Sequence, residues 1–142
     1  MIRFESDSPQ QTKQFAYKIA QDAQKPLVLC LYGDLGAGKT VFSKGFAMGL
    51  GIPERNIKSP TYTYVRSYNL KNKTLYHYDF YRIEGTDELM AQDLEEIFAN
   101  KNNYIIIEWP ERIQKLLPKK RIDIYFEHTD HNTRTLTMHN HY

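Results

Sequence analysis

The eight residues Gly33-Asp34-Leu35-Gly36-Ala37-Gly38-Lys39-Thr40 constrain this chain more than any other stretch. They follow the spacing G-x-x-x-x-G-K-T, the phosphate-binding P-loop pattern. Glycines at 33, 36 and 38 accept backbone angles that a Cβ penalises. Successive N–H groups can therefore turn inward as an anion-binding nest. A helix starting at the end of the loop aims its positive end at the same spot. Lys39 is placed to reach the β- and γ-phosphates of a nucleotide, and the Thr40 hydroxyl to ligate Mg²⁺. Both flanks suit such a loop. Leu27-Val28-Leu29-Cys30-Leu31-Tyr32 is an unbroken apolar run, as in a parallel strand buried on both faces. Beyond the loop, Val41, Phe42, Phe46 and Leu50 recur at helical spacing, and Gly51 stands where a helix C′ residue belongs. A glycine-rich surface turn has no reason to carry either flank.

With 142 residues, the length prior gives one P-loop domain over 1–142 with a sizeable core. The net charge of +2 does not by itself announce a nucleic-acid binder. The single cysteine, Cys30, lies inside the apolar strand, so a small buried hydrophobe is expected and a disulfide framework is excluded. No signal peptide and no membrane-length apolar run is read, so the expected location is cytoplasmic, with no membrane partner. Eleven tyrosines suit half-buried strands or a partly wet binding surface.

Met1 to Glu5 reads as an edge strand. Ser8, Pro9 and Gln11 then form a helix start with Ser8 as N-cap, Pro9 at N1 and Gln11 closing a capping box. Phe15, Ala16, Ile19, Ala20 and Ala23 give that helix its apolar face. Ile52 to Thr61 holds two prolines and no periodicity, so it is a loop directly after the P-loop helix. Nucleotide switches often place a γ-phosphate-sensing threonine there. Thr61 is the candidate, with a simple turn residue after Pro60 as the alternative. Tyr62–Asn69 and Thr74–Phe80 form a hairpin rich in aromatic and β-branched residues. On its second strand, Leu75, His77 and Asp79 share one face and Tyr76, Tyr78 and Phe80 the other. Asp87 and Glu88 open a further helix striped by Leu89, Met90, Leu94, Ile97 and Phe98. Tyr104-Ile105-Ile106-Ile107-Glu108 is a second buried strand ending in a carboxylate, the form of a Walker B strand. Ligands of open α/β sheets bind at such strand tips. A short helix from Pro110 and a closing hairpin, Arg121–Glu127 with Thr133–His139, complete the chain. The expected fold is α/β: a P-loop NTPase-like three-layer sandwich, its mixed sheet having parallel core strands and antiparallel hairpins.

A phosphate-bound Mg²⁺ takes one or two carboxylates besides waters. Glu108 is the candidate metal ligand, direct or through water. Asp79 is the candidate for orienting the attacking water or a second metal-linked water. Either acid could instead pair with Arg82 or Arg112. His128, His131, His139 and His141 have no cysteine nearby and read as solvated loop and tail residues. Lys115, Lys119, Lys120 and Arg121 form a basic cluster, either a solvated helix end or a phosphate-backbone contact. Asn100-Lys101-Asn102-Asn103 resembles the guanine motif N-K-x-D. It has Asn where Asp must bridge the guanine edge, and it precedes a strand, so ATP is preferred over GTP.

Taken together, the P-loop, Ser59-Pro60-Thr61, His77-Tyr78-Asp79-Phe80-Tyr81-Arg82 and Glu108-Trp109-Pro110-Glu111 resemble the TsaE (YjeE) family in order and spacing, from the N-terminal helix to the last hairpin. Val41, Tyr62 and Phe80 depart from its commoner residues, and none of these changes removes a reactive group. The resemblance implies a bacterial ATPase of tRNA threonylcarbamoyladenosine biosynthesis. It implies ATP and Mg²⁺ as ligands and the proteins TsaD and TsaB as partners, with tRNA met indirectly or weakly. It implies that Lys39, Thr61, Asp79 and Glu108 serve catalysis and that Thr40, Glu108 and Asp79 surround the metal. Trp109, directly after the strand tip, is expected to join residues 33–40 at the nucleotide, and the same likeness implies that Thr12 and Arg134 would lie near its base. A stand-alone small P-loop kinase and a nucleotide-dependent interaction module are the competing classes.

Overall fold

Local signals place the elements of the computed structural model, which describes residues 1–130 and 132–142. The chain runs β1 (Ile2–Ser6), α1 (Pro9–Asp22), β2 (Val28–Tyr32), α2 (Lys39–Gly49), β3 (Val65–Leu70), β4 (Lys73–Asp79), α3 (Glu88–Ala99), β5 (Asn103–Glu108), β6 (Ile122–His128) and β7 (Arg134–Asn140). Short 3-10 segments lie at Glu54–Asn56 and Pro110–Leu116. The Ser8 hydroxyl accepts the Gln11 N–H at 3.1 Å, as an N-cap should. The Gln11 side-chain Oε1 reaches one residue beyond the expected partner, accepting the Asp7 N–H at 2.7 Å. Asp87 caps α3 through the Met90 N–H. α2 ends in a Schellman motif: Gly51 N–H donates to Met48 O and Ile52 N–H to Ala47 O, with Gly51 at φ +98°.

Among the described residues seven strands form one sheet in the order β1-β7-β6-β2-β5-β4-β3. β2 is central and parallel to both β5 and β6, and β4 runs parallel to β5. The outer pairs β1–β7, β6–β7 and β3–β4 are antiparallel. Alternation along the buried strands divides the core in two. Leu29, Leu31 and Ile106 join Ala16, Phe42 and Phe46 on the side of α1 and α2. Val28, Cys30, Ile105 and Ile107 join Tyr78, Phe80 and Leu94 on the side of α3. These are the three expected layers.

Some expectations shift. The first hairpin strand begins at Val65, three residues late, because Tyr64 takes a left-handed conformation at φ +52° and its carbonyl accepts the Asp79 N–H. Leu89, placed on the apolar stripe, is 68% exposed, since α3 buries only one narrow face of which Leu94 is the centre. The Pro110 segment is 3-10 and breaks at Ile113. Glu54 ties the loop after α2 to both helices through Lys13 at 2.9 Å and Lys44 at 3.3 Å. The terminal histidines are less free than expected. His128 meets the Gly36 carbonyl and His141 meets Asp123, while His131 lies outside the described residues.

Candidate nucleotide-binding site

The site is built where β2, β4 and β5 end. Gly33 and Gly38 show why the loop needs glycine. A Cβ on Gly33 would lie 2.9 Å from the Phe126 carbonyl oxygen, with φ at +152°. Gly38 caps α2 in the left-handed region at φ +106°, with the Arg134 side chain at 3.1 Å from any Cβ. Above the loop opens a cleft of about 450 Å³. Leu35, Gly36, Gly38, Lys39 and Thr40 form one wall of it. Thr61, Asp79, Glu108, Trp109 and Arg134 face them. A larger groove of about 620 Å³ runs between α3 and residues 115–118, away from the loop and without a comparable set of polar groups.

Register brings the two acids together. Asp79 on β4 stands directly opposite Glu108 on β5, and parallel partners point to the same face. Glu108 is 3% exposed. Its Oε1 accepts the Thr40 hydroxyl at 3.2 Å, its Oε2 the Ser43 hydroxyl at 3.3 Å, and His77 Nε2 meets Oε2 at 2.5 Å. Asp79 Oδ2 accepts the Thr61 hydroxyl at 3.4 Å, and Oδ1 accepts the Tyr81 N–H at 3.0 Å. Among the described residues neither acid pairs with Arg82 or Arg112. Lys39 donates to the Gly33 carbonyl, and its ammonium lies 3.6 Å from the Trp109 ring centroid. Burial lowers its pKa, against the pull of Glu108, Glu111, Asp79 and Asp34.

This arrangement fits a nucleotide phosphate chain and a hard cation. The Thr40 hydroxyl and two carboxylates are oxygen donors of the kind Mg²⁺ takes, and among the described residues no group of three or more His, Cys, Asp or Glu is placed to hold a metal ion by itself. Arg134 donates to the Gly36 carbonyl at 3.2 Å while its buried Nε has no partner among the described residues, a donor left for something at the loop. Thr12 is not brought to the cleft. It is fully buried on α1 with its hydroxyl against Ser6 Oγ at 2.7 Å. Asp34 and Ala37 shape the loop through their own hydrogen bond, Ala37 N–H to Asp34 O, rather than by lining the cleft.

Tyr81 and Arg82 also line the cleft and His77 holds Glu108, although the sequence motif containing them assigned none of the three a site role. The signal for His77 was present, since it shares a strand face with Asp79 two residues away. The run Asn100–Asn103 lies at the far end of β5 from Glu108, too distant to read a base at the P-loop.

A family model for the threonylcarbamoyl adenosine biosynthesis protein TsaE matches residues 6–136. The chain belongs to the TsaE family. The tRNA threonylcarbamoyladenosine biosynthesis protein TsaE of Bacillus subtilis is 40% identical over 137 residues, covering 96% of this chain and 84% of that one. Its counterpart from Rickettsia felis is 37% identical, covering 93% of this chain and 76% of its own. The crystal structure of Bacillus subtilis YdiB superposes with a TM-score of 0.79 at 34% identity, over 99% of this chain and 86% of that one. TsaE membership assigns the chain to tRNA threonylcarbamoyladenosine biosynthesis and agrees with the mixed sheet and its parallel core.

Proposed function

We propose that this TsaE protein is a weak Mg²⁺-dependent ATPase stimulated by partners. It hydrolyses ATP to ADP and phosphate in support of TsaD and TsaB, which transfer the threonylcarbamoyl group to the adenosine beside the anticodon. The observation that carries this is the P-loop Thr40 hydroxyl on the Glu108 carboxylate, with Asp79 and Thr61 joined on the next strand.

The roles follow from the contacts. The loop N–H groups and Lys39 bind the β- and γ-phosphates, Lys39 leaving the Gly33 carbonyl to do so. Thr40 and Glu108, with Asp79 beside them, would hold Mg²⁺, which when bound neutralises charge on the β- and γ-oxygens. The Asp79 carboxylate, already hydrogen-bonded to Thr61, orients the attacking water and accepts its proton. Trp109 and Tyr81 shield that corner, their rings 5.0 Å apart. Most of the acceleration in such a reaction comes from positioning and electrostatics, so it responds to a partner that orders the 52–61 loop. tRNA is met through TsaD and TsaB, in the cytoplasm. Among the described residues no helix is long and apolar enough to cross a membrane.

The test is phosphate release by the protein alone and with TsaD–TsaB, with and without tRNA. Expected is intrinsic turnover on the order of 10⁻⁴ to 10⁻² per second, rising clearly with the partners and lost in Asp79→Ala and Glu108→Ala. Rapid partner-independent turnover, or phosphate appearing on a small acceptor, would establish a free ATPase or a kinase instead. No hydrolysis under any condition would leave a nucleotide-dependent interaction module.

A further inference from the structure

His77 is a buried histidine that no phosphate needs to touch. It is 4% exposed on β4, in register with Ile106, so it stands beside Glu108 rather than beside the cleft opening. Its Nε2 meets Glu108 Oε2 at 2.5 Å. An ionised carboxylate only accepts hydrogen bonds, so Nε2 carries the proton and donates it. Ser43 also reaches Oε2, but its single hydroxyl proton is contested by the Lys39 carbonyl at 3.0 Å. His77 is therefore the committed donor to that oxygen. The two oxygens of Glu108 are thereby divided: Oε2 is held from below by β4 and α2, while Oε1 meets the Thr40 hydroxyl in the cleft.

We infer that His77 is a positioning residue for the metal site, fixing the Glu108 carboxylate so that Oε1 alone is presented to the cation. The inference rests on the reading of Glu108 as a metal ligand. Partners behind a ligand orient it, and their loss typically weakens metal affinity by roughly 10–100-fold. A donor on Oε2 does this in two ways. It prevents the carboxylate from rotating away from Thr40, and it spares a buried oxygen from lying unpaired when Ser43 turns to Lys39.

The experiment measures Mn²⁺ binding by electron paramagnetic resonance in the presence of ADP, and ADP binding in EDTA by a fluorescent ADP analogue. His77→Leu should lose roughly 10–100-fold in Mn²⁺ affinity and keep metal-free ADP affinity within about twofold. His77→Gln, whose amide can still donate, should recover part of the loss. Wild-type Mn²⁺ affinity in His77→Leu, or an equal loss of metal-free ADP binding, overturns the inference and leaves a packing role. Glu108→Gln separates the two layers. If it too binds Mn²⁺ like wild type, the metal reading falls and takes the inference with it, whereas a loss in Glu108→Gln alone overturns only the role of His77. Nitrogen-15 NMR of the wild-type imidazole keeps the test open should the variants not fold. Nε2 should carry its proton throughout, and its signal should move when Mg²⁺ is added to the ADP complex. A deprotonated Nε2 or an unmoved signal overturns the inference.

Discussion

Gly45→Ala sets two physical effects of opposite sign against each other. Gly45 lies inside α2, where alanine is favoured over glycine by about 0.8–1.0 kcal/mol. Propensity alone therefore says that the substitution stabilises the protein. The structure says otherwise. A Cβ at 45 would stand 2.2 Å from the Lys13 carbonyl oxygen and 2.9 Å from its Cα, and a Cβ at Gly49, one turn later, would stand 2.5 Å from the Tyr17 carbonyl oxygen. Non-bonded heavy atoms settle at about 3.5–4.0 Å, so α1 and α2 would have to part by more than about 1 Å. The obstacle is main chain and cannot swing aside. Overpacking costs about 1–3 kcal/mol, and a main-chain obstacle places this case at the upper end. Net of propensity, Gly45→Ala should destabilise by about 2 kcal/mol, which for a chain near this size lowers the melting temperature by roughly 4–8 °C. Thermal melts followed by circular dichroism measure it, with Gly85→Ala as control because none of the described residues lies within 4 Å of a Cβ there. A Gly45→Ala protein melting at or above wild type would refute the close helix contact.

Burial, reinforced by Asp123, pushes the Cys30 thiol up to about 12, so the native protein at pH 8 should resist thiol reagents and label only as it unfolds; rapid labelling of the folded protein contradicts its place in β2. Because the Lys39 ammonium lies over Trp109, nucleotide that draws Lys39 away should change tryptophan emission, with ATP and ADP giving different changes. Identical spectra with and without saturating nucleotide would mean that the indole is blind to the site. Phosphates favour the charged form of Lys39 that burial disfavours. Above the lowered pKa of the free protein, binding should take up a proton, and ATP affinity should fall as pH rises from there. Calorimetry at alkaline pH in two buffers of different ionisation enthalpy would expose the absence of such uptake.

What the sequence disclosed was local, and what it withheld was pairing. The P-loop was legible because strand, glycines and helix are contiguous from Leu27 to Gly51, and the caps at Ser8 and Asp87 are short-range hydrogen bonds. That Asp79 and Glu108 end their strands was also legible. That they lie directly opposite one another was not, since the β4–β5 register joins segments about thirty residues apart through non-local hydrogen bonds. The Tyr62–Tyr64 segment carries strong strand propensity, yet the left-handed turn at Tyr64 overrides it and sets Thr61 against Asp79. Thr12 was placed near the base by likeness alone; its hydroxyl is fully buried against Ser6 Oγ of β1, a contact no local pattern announces. Gly45 and Gly49 are poor helix formers by propensity, yet they stand where α1 crosses α2, a contact no local pattern announces.

The charges of the cleft give one more consequence. Lys39, Arg82 and Arg134 face it, and so do Asp79 and Glu108. An ATP phosphate chain seated on the loop is drawn by the three cations and repelled by the two acids. Without a divalent ion the acids are a cost to binding; with Mg²⁺ between them and the phosphates they become attractive. Unit charges about 4 Å apart interact by about 4 kcal/mol at an effective dielectric near 20, so even a fraction of this at longer range amounts to tenfold or more in affinity. Asp79→Asn and Glu108→Gln should therefore bind ATP more tightly than wild type in EDTA and less tightly in excess Mg²⁺. The inversion is the diagnostic feature. A structural defect would weaken binding in both conditions, and a carboxylate with no part in holding the metal would strengthen it in both. Titrating ATP into wild type and each variant, with and without Mg²⁺, distinguishes the three outcomes, and curves that do not cross would remove the acids from the metal's surroundings.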